Sequence, residues 1–246
     1  MTSSKHQREI LPGTVAAAVA TVTAMGRVML SASAGGVIHE RMGPVTAVSE
    51  AGGRLVLSGG MHDAAIDLGV IVRVVADRTG RMKDRVLPRL ALQDGEGVTA
   101  FSLIALDGLE AFDAALDPLG HGATLLEKPR TEAPPVADAS APPATVDAGA
   151  QLLDSVRAAG LPVGVRFLCS GLEQNWTGII SEVKPAMGFL NILQPDFHLH
   201  LKEHAVAAWR REPAGNDLVL SAEAADGTPL GLVFSGAPAA FAGAGA

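Results

Sequence analysis

The chain has 246 residues, and its 26 Asp and Glu outweigh 19 Lys and Arg to give a formal net charge of −7, so it lacks the clustered basic surface that nucleic-acid binding needs. A hydrophobic content of 48% and a mean hydropathy of +0.29 supply enough apolar side chain for one large domain or two smaller ones. The single cysteine, Cys169, excludes an intramolecular disulfide framework and fits a reducing compartment, and no segment approaches the roughly 18 apolar residues of a membrane span.

Lys5 and Arg8 ahead of Val15–Met25, with Ser31-Ala32-Ser33-Ala34 behind, have the outline of a secretory leader. Glu9, Pro12 and Gly13 interrupt it, and Ala and Thr make it weakly apolar, so an amphipathic first helix ending at Gly26 is expected instead. Strand-like runs follow at Arg27–Ser31, Val45–Val48, Arg54–Ser58 and Ile66–Asp77, separated by Gly-Gly pairs. Asp94-Gly95-Glu96-Gly97 marks a hairpin between Arg89–Gln93 and Val98–Ala105. A helix is predicted over Leu106–Leu119, with Leu109, Phe112 and Leu116 on one face.

Proline and alanine then dominate. Residues 121–146 read as a linker between an N-terminal unit, 1–120, and a C-terminal unit, 147–236. In the second unit a helix is expected over Ala148–Ala159, then strands at Val163–Cys169, Gly178–Val183, Gly188–Leu193, Phe197–Leu201, Ala205–Arg211, Leu218–Ala224 and Leu230–Phe234. The Ala, Gly and Pro tail, 237–246, is expected to be disordered.

The units look like copies. Gly43, Val45 and Val48 precede Gly178, Ile180 and Val183 by 135 positions, and Asp63, Ile66 and Leu68 precede Asp196, Leu199 and Leu201 by 133. Slowly drifting offsets are what small loop insertions in a duplicated unit produce. The expected fold class is therefore α+β: two repeats, each a large antiparallel β-sheet with flanking helices, packed against each other.

Residues 184–204, KPAMGFLNILQPDFHLHLKEH, are the most informative stretch. On its second strand Phe197, Leu199 and Leu201 point one way and His198 and His200 the other, after a turn set by Pro195 and Asp196. The stretch resembles the cytoplasmic haem-utilisation (haemin-degrading factor) family, whose pattern there runs K-P-M-G-P-W-L-N-V-L-D-P-D-F-N-L-H-L-R-E-D. Val37-Ile38-His39-Glu40, Gly160-Leu161-Pro162-Val163 and Thr177-Gly178 resemble further pieces of it. The resemblance implies a cytoplasmic haem carrier in iron acquisition, built from two such repeats, with haem as cofactor or cargo; some members release its iron.

The chain also departs from that pattern. The family's axial histidine lies on inter-repeat helices, in a segment resembling D-x-H-x-F; the linker replaces them here and brings only His121. The arginine of the family's T-R-N-E falls at Ser33, and its basic tail falls at Phe234-Ser235-Gly236-Ala237-Pro238, which holds no cation. Haem needs an axial donor and cations for its propionates, so His200, at a histidine of the family pattern, becomes the expected iron ligand, with His198 second. His39 and His121 are the remaining alternatives, and Trp176, where the family has histidine, is the candidate stacking wall for a flat ligand. Paired histidines without a metal and indoles in a core are the structural alternatives for these residues. No motif places a nucleophile with a base, so a carrier rather than an enzyme is expected, haem degradation entering by resemblance alone. Expected partners are haem or another flat small molecule, with a homodimer as the conceivable assembly and neither nucleic acid nor membrane. The competing reading is a divergent relative that binds another small ligand or a protein.

Overall fold

A computed structural model of the chain describes residues 7–125 and 146–243. Alternating apolar and polar residues make most of it strand, and every strand pairing is antiparallel. Among the described residues there are two large sheets and a small hairpin. The first sheet runs, edge to edge, Ala123–Thr124, Arg8–Ile10, Arg73–Asp77, Arg89–Gln93, Thr99–Ala105, Arg27–Ala34, Val37–Pro44, Phe197–Lys202, Phe189–Leu193 and Lys184–Ala186. The second runs Ala208–Ala214, Asp217–Glu223, Pro229–Gly236, Val163–Cys169, Leu172–Gly178, His62–Asp67, Arg54–Gly59 and Ala47–Ala51. The fold is α+β.

The two halves trace the same path, but the sheets are not divided one to each half. After the opening strand Arg8–Ile10, the first half runs, as the second does, through a helix, a hairpin, a three-stranded meander in the opposite sheet and three strands back in its own. The joints are the pairing of Val37–Pro44 with Phe197–Lys202 and that of Leu172–Gly178 with His62–Asp67. This exchange merges both inner faces into one hydrophobic core, which runs from Val19 and Leu30 to Phe167, Phe197 and Phe234. Arg41 secures one joint: its guanidinium bonds the Met61 carbonyl and pairs with Asp196 at 3.2 Å, so a first-half strand holds the turn of the second-half meander.

Several expected boundaries move, each for a local reason. The run Ile66–Asp77 is two strands, because the Asp67 side chain accepts from Gly69 N–H at 2.7 Å and turns the chain between them. The predicted strand Gly178–Val183 is instead Leu172–Gly178, whose inward residues are Leu172, Gln174 and Trp176; a buried glutamine hides the alternation. Of the expected linker, 121–146, Ala123–Thr124 pairs with Glu9 and Ile10 as an edge strand, and residues 126–145 lie outside the described part of the chain. The tail is ordered over Pro238–Phe241, where buried Ala240 and Phe241 pack on the helix Ala148–Ala159 and Gly243 N–H donates to Ser155 Oγ at 3.0 Å. Among the described residues no helix is long and apolar enough to cross a membrane.

Candidate functional site

The outer face of the first sheet carries the histidines. Across adjacent strands, Ser31 stands opposite Glu40, Glu40 opposite His198, and His198 opposite Leu193. The next row on that face runs Ser33, Ile38, His200, Asn191, Lys184. Strands in register hold these side chains at fixed cross-strand spacing, roughly 5 Å apart.

Three side chains converge. His198 Nδ1 lies 3.3 Å and His200 Nε2 3.9 Å from Glu40 Oε2, and the two imidazoles meet edge to face with centroids 6.0 Å apart. The candidate donor atoms of Glu40, His198 and His200 all lie within 4.8 Å of one another. Burial by itself would push the Glu40 carboxyl up; hydrogen bonds from His198, His200 and Ser31 outweigh it and hold the group at about 2. Ser31 occupies the other oxygen, with Oγ 2.8 Å from Oε1.

Asn191 orients His200. Its amide Nδ2 faces the carbonyls of Lys184 (2.9 Å), Phe189 (3.0 Å) and Ala186 (3.3 Å), which leaves Oδ1 to accept from His200 Nδ1–H at 2.6 Å. Nε2 is then the ring atom turned toward Glu40, where a metal ion could take the place of a proton, an orientation that metal-binding histidines commonly receive from such a partner.

Beside the cluster lies a groove of about 480 Å³. Its walls are mostly apolar, with Ile38, Ala186, Met187, Phe189 and Leu193 around His200, Glu40, Asn191 and Lys184. Met187 is 93% exposed and holds a left-handed backbone (φ 54°), a conformation costly for a side chain of its size, in the two-residue turn Met187-Gly188. The Lys184 ammonium pairs with Glu182 at 2.9 Å.

The other candidates lie elsewhere. Trp176 is buried on the inner face and stacks on Phe197 with centroids 4.4 Å apart, leaving no room for a Cβ at Gly178; it is a core aromatic, on the far side of the sheet from His198 and His200. Trp209 likewise packs edge-on against Phe234 and donates to the Ala148 carbonyl at 2.9 Å. His39 is fully buried between Phe167 and Phe197, and burial, then the Arg41 charge, press its pKa to about 3. It accepts from Gln174 Nε2 at 2.7 Å, and these residues stand at equivalent positions of the two halves, 135 apart. His121 sits beside Glu9, six strands from His200, or roughly 29 Å at ~4.8 Å per strand. Burial pushes the Cys169 thiol up to about 11, so it has little thiolate character near neutrality. Glu40 is the member of the cluster that the sequence reading did not single out; its only signal was the end of Val37-Ile38-His39-Glu40.

The chain matches no protein-family model and no curated protein, but solved structures share its architecture. Escherichia coli ChuS, described as a haem oxygenase, superposes with a TM-score of 0.70 at 20% identity, over 94% of this chain and 83% of that one. ChuS of E. coli O157:H7, described as a haem-degrading enzyme, gives 0.74 at 21%, over 94% and 81%. Holo-PhuS, a haem-binding protein from Pseudomonas aeruginosa, gives 0.72 at 20%, over 94% and 82%.

Proposed function

We propose that the chain binds haem, or a similarly flat small molecule, in the groove on the outer face of the first sheet, as a cytoplasmic carrier of the haem-utilisation family. The observation that carries this reading is His200: a histidine at the family's position, its Nδ1 committed to Asn191 and its Nε2 beside an apolar groove. The donor set fits haem in part. Nε2 of His200 would serve the iron, the walls formed by Ile38, Phe189, Leu193 and Met187 would take the macrocycle, and Lys184 would meet one propionate. Bound there, haem would supply a redox-active iron with an axial position for an imidazole. The family's arginine position, Ser33, lies in the same row as His200, two strands away, which supports this face as the ligand face.

Haemin titration followed by the Soret band tests the reading. Wild-type protein should shift the band, and His200→Ala should abolish the shift. The variant loses one hydrogen bond worth about 1 kcal/mol, so its thermal midpoint should fall by only about 2–4 °C. Ser33→Arg should tighten binding by about tenfold or more, because a charge-assisted hydrogen bond is worth roughly 1.5–3 kcal/mol. Normal haemin uptake by His200→Ala would move the ligand elsewhere and refute the site.

Glu40 favours a second reading. Its ionised carboxylate, 3.9 Å from His200 Nε2, adds negative charge where haem would bring more, and Ser33 supplies none of the family's compensating positive charge. A divergent carrier of another small ligand, or of a protein partner, accommodates both substitutions. Absence of any Soret shift in wild-type protein would select it.

A further inference from the structure

The haem reading takes His200 as its iron ligand and assigns no role to Glu40, which is fixed in the same face beside His198. We propose that Glu40, His198 and His200 form a binding site for one divalent first-row transition-metal ion, held as a two-histidine, one-carboxylate set.

The geometry is close to a first coordination sphere. Adjacent ligands about 2.0–2.2 Å from one metal ion stand about 2.8–3.6 Å apart, from octahedral to tetrahedral geometry. His198 Nδ1 and Glu40 Oε2 are 3.3 Å apart already, and His200 Nε2 is 3.9 Å from the same oxygen. A small rotation of the His200 ring closes that gap. His198 would carry its proton on Nε2 and present Nδ1, and His200 would present Nε2.

The supporting contacts act on the ligands individually. Asn191 Oδ1, held in place by the three carbonyls around its own amide, fixes the His200 tautomer. Ser31 bonds Glu40 Oε1 and leaves Oε2 free to coordinate. All three ligands project from neighbouring strands of a paired sheet, which holds them more rigidly than loops would. Two imidazoles and a carboxylate suit Fe²⁺, Co²⁺, Ni²⁺ or Zn²⁺ rather than Mg²⁺ or Ca²⁺, which prefer all-oxygen ligands. The ligands come from one side, so the remaining positions face the groove and are open to solvent or a small molecule.

Chelator-treated full-length protein titrated with Co²⁺, read by its visible d–d bands, and with Zn²⁺, read by calorimetry, tests the site. One equivalent should bind. Glu40→Gln and His198→Gln should each weaken binding by at least about tenfold, and Asn191→Leu by about 10- to 100-fold through loss of the supporting hydrogen bond. His204→Gln, outside the cluster, should bind as wild type. His198 is half-exposed, so its variant should fold even if Glu40→Gln does not. No saturable binding, or unchanged affinity in both His198→Gln and Glu40→Gln, overturns the proposal. Both readings use His200 Nε2, and the outcomes separate them: protein that takes up Co²⁺ but not haemin refutes the haem reading and keeps this one, and the reverse result refutes this one alone.

Discussion

Trp176→Ala is expected to destabilise the protein by about 3–5 kcal/mol, the usual cost of emptying a large aromatic site in a core. The indole is 6% exposed, lies flat against Phe197 of the facing sheet, and fills the space next to Gly178. Because Trp176 and Phe197 lie on strands of different sheets, the cavity would open where the sheets meet, with little chance of local collapse. Thermal or denaturant unfolding measures the loss. At about 2–4 °C per kcal/mol for a chain of this size, the midpoint should drop by roughly 6–20 °C. A ligand-stacking wall would behave in the opposite way. If Trp176→Ala kept its midpoint and lost ligand affinity, Trp176 would belong to the site, and the placement of the core would be wrong.

Mild acidification is the second large effect. The folded chain keeps buried His39 neutral down to about pH 3, whereas an unfolded chain protonates the same ring near 6.5. His62, buried and bonded through Nε2 to the Gly43 carbonyl, is shifted in the same direction by burial. The unfolded state therefore takes up protons first, so stability is fully present above about pH 6.5 and declines as the pH falls below it. The slope is up to ~1.4 kcal/mol per pH unit for each histidine so held, or about 2–3 kcal/mol for His39 between pH 6.5 and 4.5. Glu40 and Glu9, both with lowered pKa values, add to the loss only below their ordinary value of 4.5. The window from 6.5 to 4.5 thus belongs to the buried histidines. Urea unfolding at stepped pH should show the decline, and His39→Gln should flatten it even if it lowers stability throughout. A stability that stays level from pH 7 to 5 would mean that His39 is not held neutral in the core.

His39 also illustrates what a sequence conceals. Residue by residue it is another candidate ligand, next to Glu40 in a motif shared with haem-utilisation proteins. Its role becomes visible only once the strand direction is known: His39 and Glu40 are neighbours in the chain and point to opposite faces of one sheet. The same alternation, clear over Phe197–Leu201, correctly put His198 and His200 together and away from the core, because three apolar residues marked the inner face. Over Leu172–Gly178 the inward row includes Gln174, so the strand was not legible and Trp176 stood between a core aromatic and a stacking wall for a ligand.

Local chemistry in the sequence determined the α+β class, the hairpins at Asp94–Gly97 and Pro195–Asp196, the helix Ala148–Ala159, the equivalence of the halves, and the shared face of His198 and His200. Turn residues, caps and side-chain period act within a few positions, so they can be read directly. Only the tertiary structure decided which strands lie side by side. Antiparallel edges satisfy their hydrogen bonds with any compatible partner, and the trade of meanders between sheets wins because it buries both apolar faces in one core. That pairing brings Glu40 from the first half against His198 and His200 from the second, 158 and 160 residues along the chain. No spacing rule reaches so far, and so the cluster at the centre of the site appears only when the chain is folded.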